Sequence, residues 1–171
     1  MFCFFVSFVP LKNFLLMKKS VLFVCLGNIC RSPTCEGICN YLIGDYVHAE
    51  SCSTSSWHRN ECPDERSQEI CIKHGIDISG HKSRVIRNDD WSRFDVIAAL
   101  DENVLQTLQT MKVADSKAKL VLFNSPEGIP DPYYGGRRGF QKMFNQIDEV
   151  MLPFLVQNDL VDEDIIRKIR K

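Results

Sequence analysis

The sequence predicts a three-layer α/β domain built on four parallel strands. Three observations carry that expectation. Short apolar runs recur at residues 20–24, 47–54, 95–100 and 120–123, and segments with helical spacing separate them. The first run is rich in valine and leucine, the composition of a strand buried on both faces, and it breaks at a Gly-Asn pair before a helix start. Residues 140–156 read as a long amphipathic helix with one face to cover a sheet. Strand, helix, strand order implies right-handed parallel crossovers.

Taken in order, the first strand (20–24) ends at Cys25, and Gly27 and Asn28 supply the two residue types that most readily take positive φ. A helix follows over 34–43, with Ile38, Tyr41 and Leu42 on its inward face and Gly44 as its stop. After the second strand (47–54) comes a polar loop with Trp57, read as a wall of a binding cleft. Pro63-Asp64-Glu65 opens a helix that runs to His74, with proline and acids in its first turn. His81 sits in a loop and on its own reads as a hydrogen-bonded structural histidine. A turn at residues 90–92 precedes the third strand (95–100), whose exit at Asp101-Glu102 begins a helix to Met111. The fourth strand (120–123) and the long helix follow, and residues 160–171 extend or flank that helix.

Chemistry gathers first at the loop after the first strand. A curl at Gly27-Asn28 turns successive N–H groups toward one point, and a helix starting at Ser32-Pro33 adds its positive end there. One thiol and one guanidinium, Cys25 and Arg31, flank that point with five residues between them. Thiols placed at helix N-termini beside a cation react as thiolates. The same loop suits phosphate oxygens, two of which a planar guanidinium binds at once. Cys-x5-Arg alone is a common chance pattern; the strand, the turn and the Arg-Ser-Pro exit give it meaning.

Composition narrows the function. The net charge of −1 points away from nucleic acid and anionic membranes, so any phosphate recognition is local. At 171 residues the chain has room for one domain with a real core. Its eight cysteines lack a disulfide-scaffold pattern and point to a reducing cytoplasm. A zinc site from Cys25, Cys30, Cys35 and Cys39 fails on spacing, since no C-x2-C pair occurs. Residues 1–16 form an apolar stretch interrupted by Pro10, too short to span a bilayer. They read as a weakly ordered or non-native extension, with a membrane anchor as the alternative, and residues 17–171 as the single domain.

A second constellation lies at residues 129–135, where Pro130 and Pro132 flank Asp131 and fix its backbone. Such rigidity suits a positioned acid, able to protonate the oxygen that leaves when Cys25 attacks a phosphoryl group. The plainer reading is an Asx-turn aspartate. Tyr133 and Tyr134 are candidates to stack on an aromatic substrate. Arg137-Arg138 reads as a solvated pair.

Together these pieces resemble the low-molecular-weight protein tyrosine phosphatases. The match rests on VCLGNICRSP from Val24 to Pro33, the Ser/Thr stretch into Trp57, His74-Gly75-Ile76, His81-Lys82, Asp101-Glu102, and DPYYG from Asp131 with Phe140 beyond it. The resemblance implies a flavodoxin-like sheet of order 2-1-3-4, no metal and no organic cofactor. It implies Cys25 as nucleophile, Arg31 with the loop of Leu26, Gly27, Asn28, Ile29 and Cys30 as phosphate site, and Asp131 as general acid. Asn28, Ser32, Ser51 and His81 match loop-supporting positions, and Ile29, Trp57, Tyr133 and Tyr134 match the substrate cleft. Ile29 stands where tyrosine-selective relatives carry a bulky aliphatic residue. Cys30 matches a cysteine that pairs with the nucleophile under oxidation, whereas Cys35, Cys39, Cys52, Cys62 and Cys71 are expected to be buried thiols.

The expected activity is hydrolysis of phosphotyrosine in proteins through a phosphocysteine, in a cytoplasmic monomer or weak dimer. Two other functions compete. An arsenate reductase on this fold needs further cysteines near the third strand exit, and residues 98–103 have none. A catalytically silent phosphopeptide-binding module has no need of both Cys25 and Asp131.

Overall fold

The computed structural model describes residues 18–169, and the extension expected at residues 1–16 lies outside them. Four strands, β1 (Lys19–Cys25), β2 (Val47–Ser53), β3 (Val96–Ala99) and β4 (Lys119–Leu122), alternate with helices α1 (Arg31–Ile43), α2 (Glu65–Lys73), α3 (Asp90–Arg93), α4 (Glu102–Met111), α5 (Arg137–Gln157) and α6 (Glu163–Ile169). The sheet is parallel throughout and ordered β2-β1-β3-β4, as the resemblance implies. Phe23 of β1 pairs with Ser51 on one side and Ala98 on the other, so β1 is central.

The two-residue period of a strand explains why β1 is apolar along its length. Val21, Phe23 and Cys25 point into a core shared with Ile38 of α1 and Phe144, Ile147 and Leu155 of α5. Leu22 and Val24 point into a second core with Trp91 of α3 and Val104 and Leu108 of α4. Helices therefore cover both faces, α1 and α5 on one and α3 and α4 on the other. Phe123, just past β4, meets Phe23 edge-on at 5.6 Å and Phe154 at 4.7 Å, tying α5 to the sheet.

Several expectations shift. α1 begins at Arg31, one residue before the expected start at Ser32-Pro33, so its first turn is part of the loop itself. Tyr41 is 62% exposed rather than inward. Cys35, Ile38, Cys39 and Ile43 are the buried positions, and at 100° per residue their arc centres about 130° away from Tyr41. Residues beyond 160 do not prolong α5. Asp159 takes φ 57, Leu160 N–H bonds Leu155 O and Asp159 N–H bonds Val156 O, a left-handed stop before α6. Arg137 opens α5 and is exposed, as expected of a solvated pair, while also reaching Glu69 at 2.8 Å. Cys62 is exposed, unlike Cys35, Cys39, Cys52 and Cys71, because it lies in the loop ahead of Pro63; Lys82 Nζ reaches its sulfur at 3.0 Å. Among the described residues no helix is long and apolar enough to cross a membrane.

Candidate active site

The carboxyl ends of β1 and β3 meet where two central strands diverge toward helices, the place where parallel sheets bind ligands. Cys25 ends β1 there. The loop after it is anchored by its carbonyls: Cys25 O accepts from Thr54 N, Leu26 O from Ser55 N and Ile29 O from Asp64 N, at 2.8 to 3.0 Å. Carbonyls turned outward leave the amides turned inward, and Asn28 N–H lies 3.2 Å from Cys25 Sγ. Ser32 Oγ approaches the same sulfur at 3.0 Å from the first turn of α1. Of the Gly27-Asn28 pair only Asn28 takes positive φ; a Cβ at Gly27 would meet the His58 ring at 2.9 Å and push that side chain aside.

Asn28 holds the curl. Its φ is 56, a left-handed conformation that asparagine tolerates better than most residues. The wholly buried side chain spends every hydrogen-bonding site: Nδ2 donates to Ser32 Oγ and Ser51 Oγ, both at 2.9 Å. Oδ1 accepts from Arg84 N at 3.0 Å and from His81 Nε2 at 3.1 Å, so that nitrogen carries the proton. Glu36 backs the network, accepting from Ser51 Oγ at 2.6 Å and lying 3.3 Å from His81 Nδ1. The four supporting positions expected from sequence are thus brought together, and Glu36 and Arg84 join them.

Arg31 is almost wholly enclosed, with its side chain 3% exposed. Nη1 donates to Asp101 Oδ2 at 2.5 Å and to Ile129 O at 3.1 Å, and Nη2 donates to Asp131 Oδ2 at 2.8 Å. Burial opposes its charge, yet the Cys25 sulfur, Asp131 and Asp101 outweigh that cost and raise its pKa. Asp101 serves two groups, capping α4 through Oδ1 to Val104 N at 2.8 Å while Oδ2 orients Arg31. Asp131 is similarly divided. Oδ1 accepts from Tyr133 N at 3.1 Å, closing the Asx turn of the plainer reading, while Oδ2 accepts from the guanidinium of Arg31.

Cys25, Ile29, Arg31 and Asp131 line one cleft, whose walls are Trp57, His58, Tyr133 and Tyr134. Trp57 is 74% exposed and Tyr134 99%, and the Tyr133 ring stands between His58 at 6.0 Å and Tyr134 at 5.1 Å. His58 was not singled out by sequence, although its place beside Trp57 was a signal. A larger groove of about 720 Å³ runs between α4, β4 and α5, lined by Leu105, Leu120 and Phe154, and brings no nucleophile. Burial pushes the Cys30, Cys35 and Cys52 thiols well up, Cys39 to about 12 and Cys71 to about 11, so these remain protonated. Among the described residues no three His, Cys, Asp or Glu side chains cluster as metal ligands would.

Residues 20–165 match the family model described as low molecular weight phosphotyrosine protein phosphatase. Over 152 residues the chain is 36% identical to the low molecular weight phosphotyrosine protein phosphatase of Saccharomyces cerevisiae, covering 81% of this chain and 94% of the yeast protein. The solution structure of the low molecular weight protein tyrosine phosphatase from Tritrichomonas foetus is similar with a TM-score of 0.74 and 51% identity, over 84% of this chain and 98% of that one. The crystal structure of Drosophila arginine phosphatase is similar with a TM-score of 0.75 and 33% identity, over 82% and 97%.

Proposed function

The chain belongs to the low molecular weight phosphotyrosine protein phosphatase family, and we propose that it dephosphorylates phosphotyrosine in proteins, and small aryl phosphates, through a phosphocysteine on Cys25. In the first step the Cys25 thiolate attacks phosphorus as the P–O bond to the phenol breaks, and Asp131 gives its proton to the departing oxygen. In the second, Asp131 takes a proton from water, the water oxygen bonds phosphorus, the S–P bond breaks and inorganic phosphate leaves. Arg31 and the amides of residues 26–31 meet the charge on the equatorial oxygens in both transition states. Asp131 must exchange Arg31 for the leaving oxygen within that cycle.

A single observation carries this reading: one guanidinium joins the loop around the Cys25 sulfur to the carboxylate of Asp131, which holds nucleophile, anion site and acid in one cleft. Ile29, Trp57 and Tyr133 give the cleft apolar and aromatic walls for a phenyl ring. The aromatic rings suit either a phenyl group or a planar guanidinium, and the aliphatic Ile29 is what favours the neutral phenyl of phosphotyrosine over an arginine phosphoramidate. The six buried free thiols suit a reducing cytosol.

The test is Cys25→Ser. It is expected to abolish turnover of para-nitrophenyl phosphate and phosphotyrosyl peptides while retaining affinity for orthovanadate or phosphate. Robust turnover by that variant removes Cys25 as nucleophile, and a wild-type protein that binds vanadate but hydrolyses neither ester is a binding module instead. Faster hydrolysis of phosphoarginine than of phosphotyrosine reassigns the substrate.

Cys30 is the proposed resolving thiol. A sulfenic acid formed on Cys25 by a peroxide condenses with the Cys30 thiol, forming S–S and releasing water. Burial, reinforced by Asp64 and Cys25, raises the Cys30 pKa and keeps it a thiol until then. Accordingly Cys30→Ser is expected to turn peroxide inactivation that dithiothreitol reverses into one that it does not. Equal recovery in both proteins removes the role.

A further inference from the structure

The segment bearing Asp131 is not fixed by its prolines alone. Arg66, in the first turn of α2, uses each nitrogen of its guanidinium. Nε donates to Asp64 Oδ1 at 2.9 Å and Nη2 to Asp64 Oδ2 at 2.7 Å, a bidentate pair. Nη2 also donates to Tyr133 O at 3.1 Å and Nη1 to Gly135 O at 2.9 Å. The guanidinium carbon lies 4.3 Å from the Phe140 ring centroid, so the plane is held on a face as well as at its edges. Asp64 is itself tied to the phosphate loop, because its N–H donates to Ile29 O at 2.8 Å.

These bonds form one continuous connection between the two halves of the site. It runs from Ile29 O through Asp64 to Arg66, from Arg66 to Tyr133 O, and from Tyr133 N to Asp131 Oδ1. The Arg66 contact and the contact that orients the acid fall on one residue, on the carbonyl and the N–H of Tyr133. We propose that Arg66 is a positioning residue for proton transfer: it sets where the Asp131 carboxyl stands relative to the phosphate loop, without touching substrate. The inference rests on Asp131 being the general acid. Misplacing a reacting group by about an ångström costs on the order of 10²-fold in rate, whereas the loop around Cys25 keeps its own bracing through Asn28.

Lysine cannot substitute, since a point charge has neither the fork for Asp64 nor the plane for Phe140. The position therefore demands arginine for geometry and not for charge.

The experiment compares phenyl phosphate, whose phenolate needs a proton to leave, with 2,4-dinitrophenyl phosphate, whose leaving group does not. Wild type, Arg66→Ala, Arg66→Lys, Asp131→Ala and the Arg66→Ala/Asp131→Ala double variant are measured on both. Arg66→Ala is expected to lower kcat for phenyl phosphate by about 10- to 100-fold. For the dinitrophenyl ester the loss stays under about threefold, with inhibition by inorganic phosphate unchanged. Arg66→Lys follows the alanine variant, and in the Asp131→Ala background Arg66→Ala adds no further loss. Equal losses on both esters, the same loss in the Asp131→Ala background, or full activity in either variant overturns the proposal. Weakened phosphate inhibition in both Arg66 variants also overturns it, by placing the damage in the phosphate loop. Should Asp131→Ala itself treat the two esters alike, the acid assignment fails, a result distinct from any outcome at Arg66.

Discussion

The phosphate loop and the acid segment converge on Arg31, but they are held in opposite ways. The loop from Cys25 to Arg31 is contiguous, buried and braced from beneath by one asparagine whose four bonds are all satisfied inside the protein. The segment from Ile129 to Gly135 is exposed at Asp131 and Tyr134, and it is held by two arginines that come from elsewhere in the chain. On the proposed mechanism the first half binds a tetrahedral anion without rearrangement. The second has to release Arg31 and turn a carboxyl toward a leaving oxygen, and its restraints are guanidinium contacts to a carboxylate and to backbone carbonyls.

The largest expected effect comes from the group the two halves share. Arg31→Lys keeps the charge and loses the fork, so it cannot serve Asp101, Asp131 and a phosphoryl group together. A kcat loss of about 10³-fold or more is expected, since deleting a single such donor costs about 10² to 10³. Phosphotyrosine turnover by that variant within tenfold of wild type would mean that charge alone suffices and that the shared fork is incidental.

Asn28→Ala is next and tests the rigid half by itself. It leaves Ser32, Ser51 and the Arg84 N–H without their partner and puts alanine at positive φ, a stability loss of about 2 to 4 kcal/mol. Because the amides lose their aim, both esters should slow alike, by about 10- to 100-fold in kcat. A loss confined to phenyl phosphate would show the acid segment to depend on this brace, and the two halves would not be separable.

The same contrast explains what could be read from the chain and what could not. The phosphate loop is local: strand, turn, thiol and guanidinium occur within a dozen residues, and each residue type has a conformational or electrostatic reason to be there. Asp131 was legible because two prolines flank it, a local signal again. Asp101 was read as a helix start, which it is, and as part of the family match, but its partnership with Arg31 spans 70 residues and leaves no local mark in the sequence. Glu36 and Arg66 look like ordinary solvated helix charges until the fold sets His81 and Tyr133 beside them. Cys62 and Tyr41 failed for a related reason: apolar character was read as burial, whereas a loop position and a helix phase decided it.

Asp64 touches both halves and offers the smallest but sharpest separation between them. Its N–H holds Ile29 O of the phosphate loop, while its carboxylate caps α2 at Arg66 N and grips the guanidinium that holds the acid segment. The bonds from Arg66 pull its pKa below the usual aspartate value and outweigh the burial that raises it. A carboxylate with a lowered folded-state pKa stabilises the fold fully above its unfolded pKa of about 3.9, and that contribution fades as pH falls through the folded value. Asp64→Asn keeps the N–H to Ile29 and a cap oxygen but loses the charge. It should unfold in urea about 1 kcal/mol more easily than wild type at pH 6, with the difference shrinking steadily below about pH 4. At pH 6 it should also slow phenyl phosphate more than the dinitrophenyl ester, in the pattern set by Arg66 and to a smaller degree. A stability difference that stays constant from pH 6 to pH 3 would trace the effect to the cap and not to the ion pair. The acid segment would then be anchored by Arg66 without help from the charge beneath it.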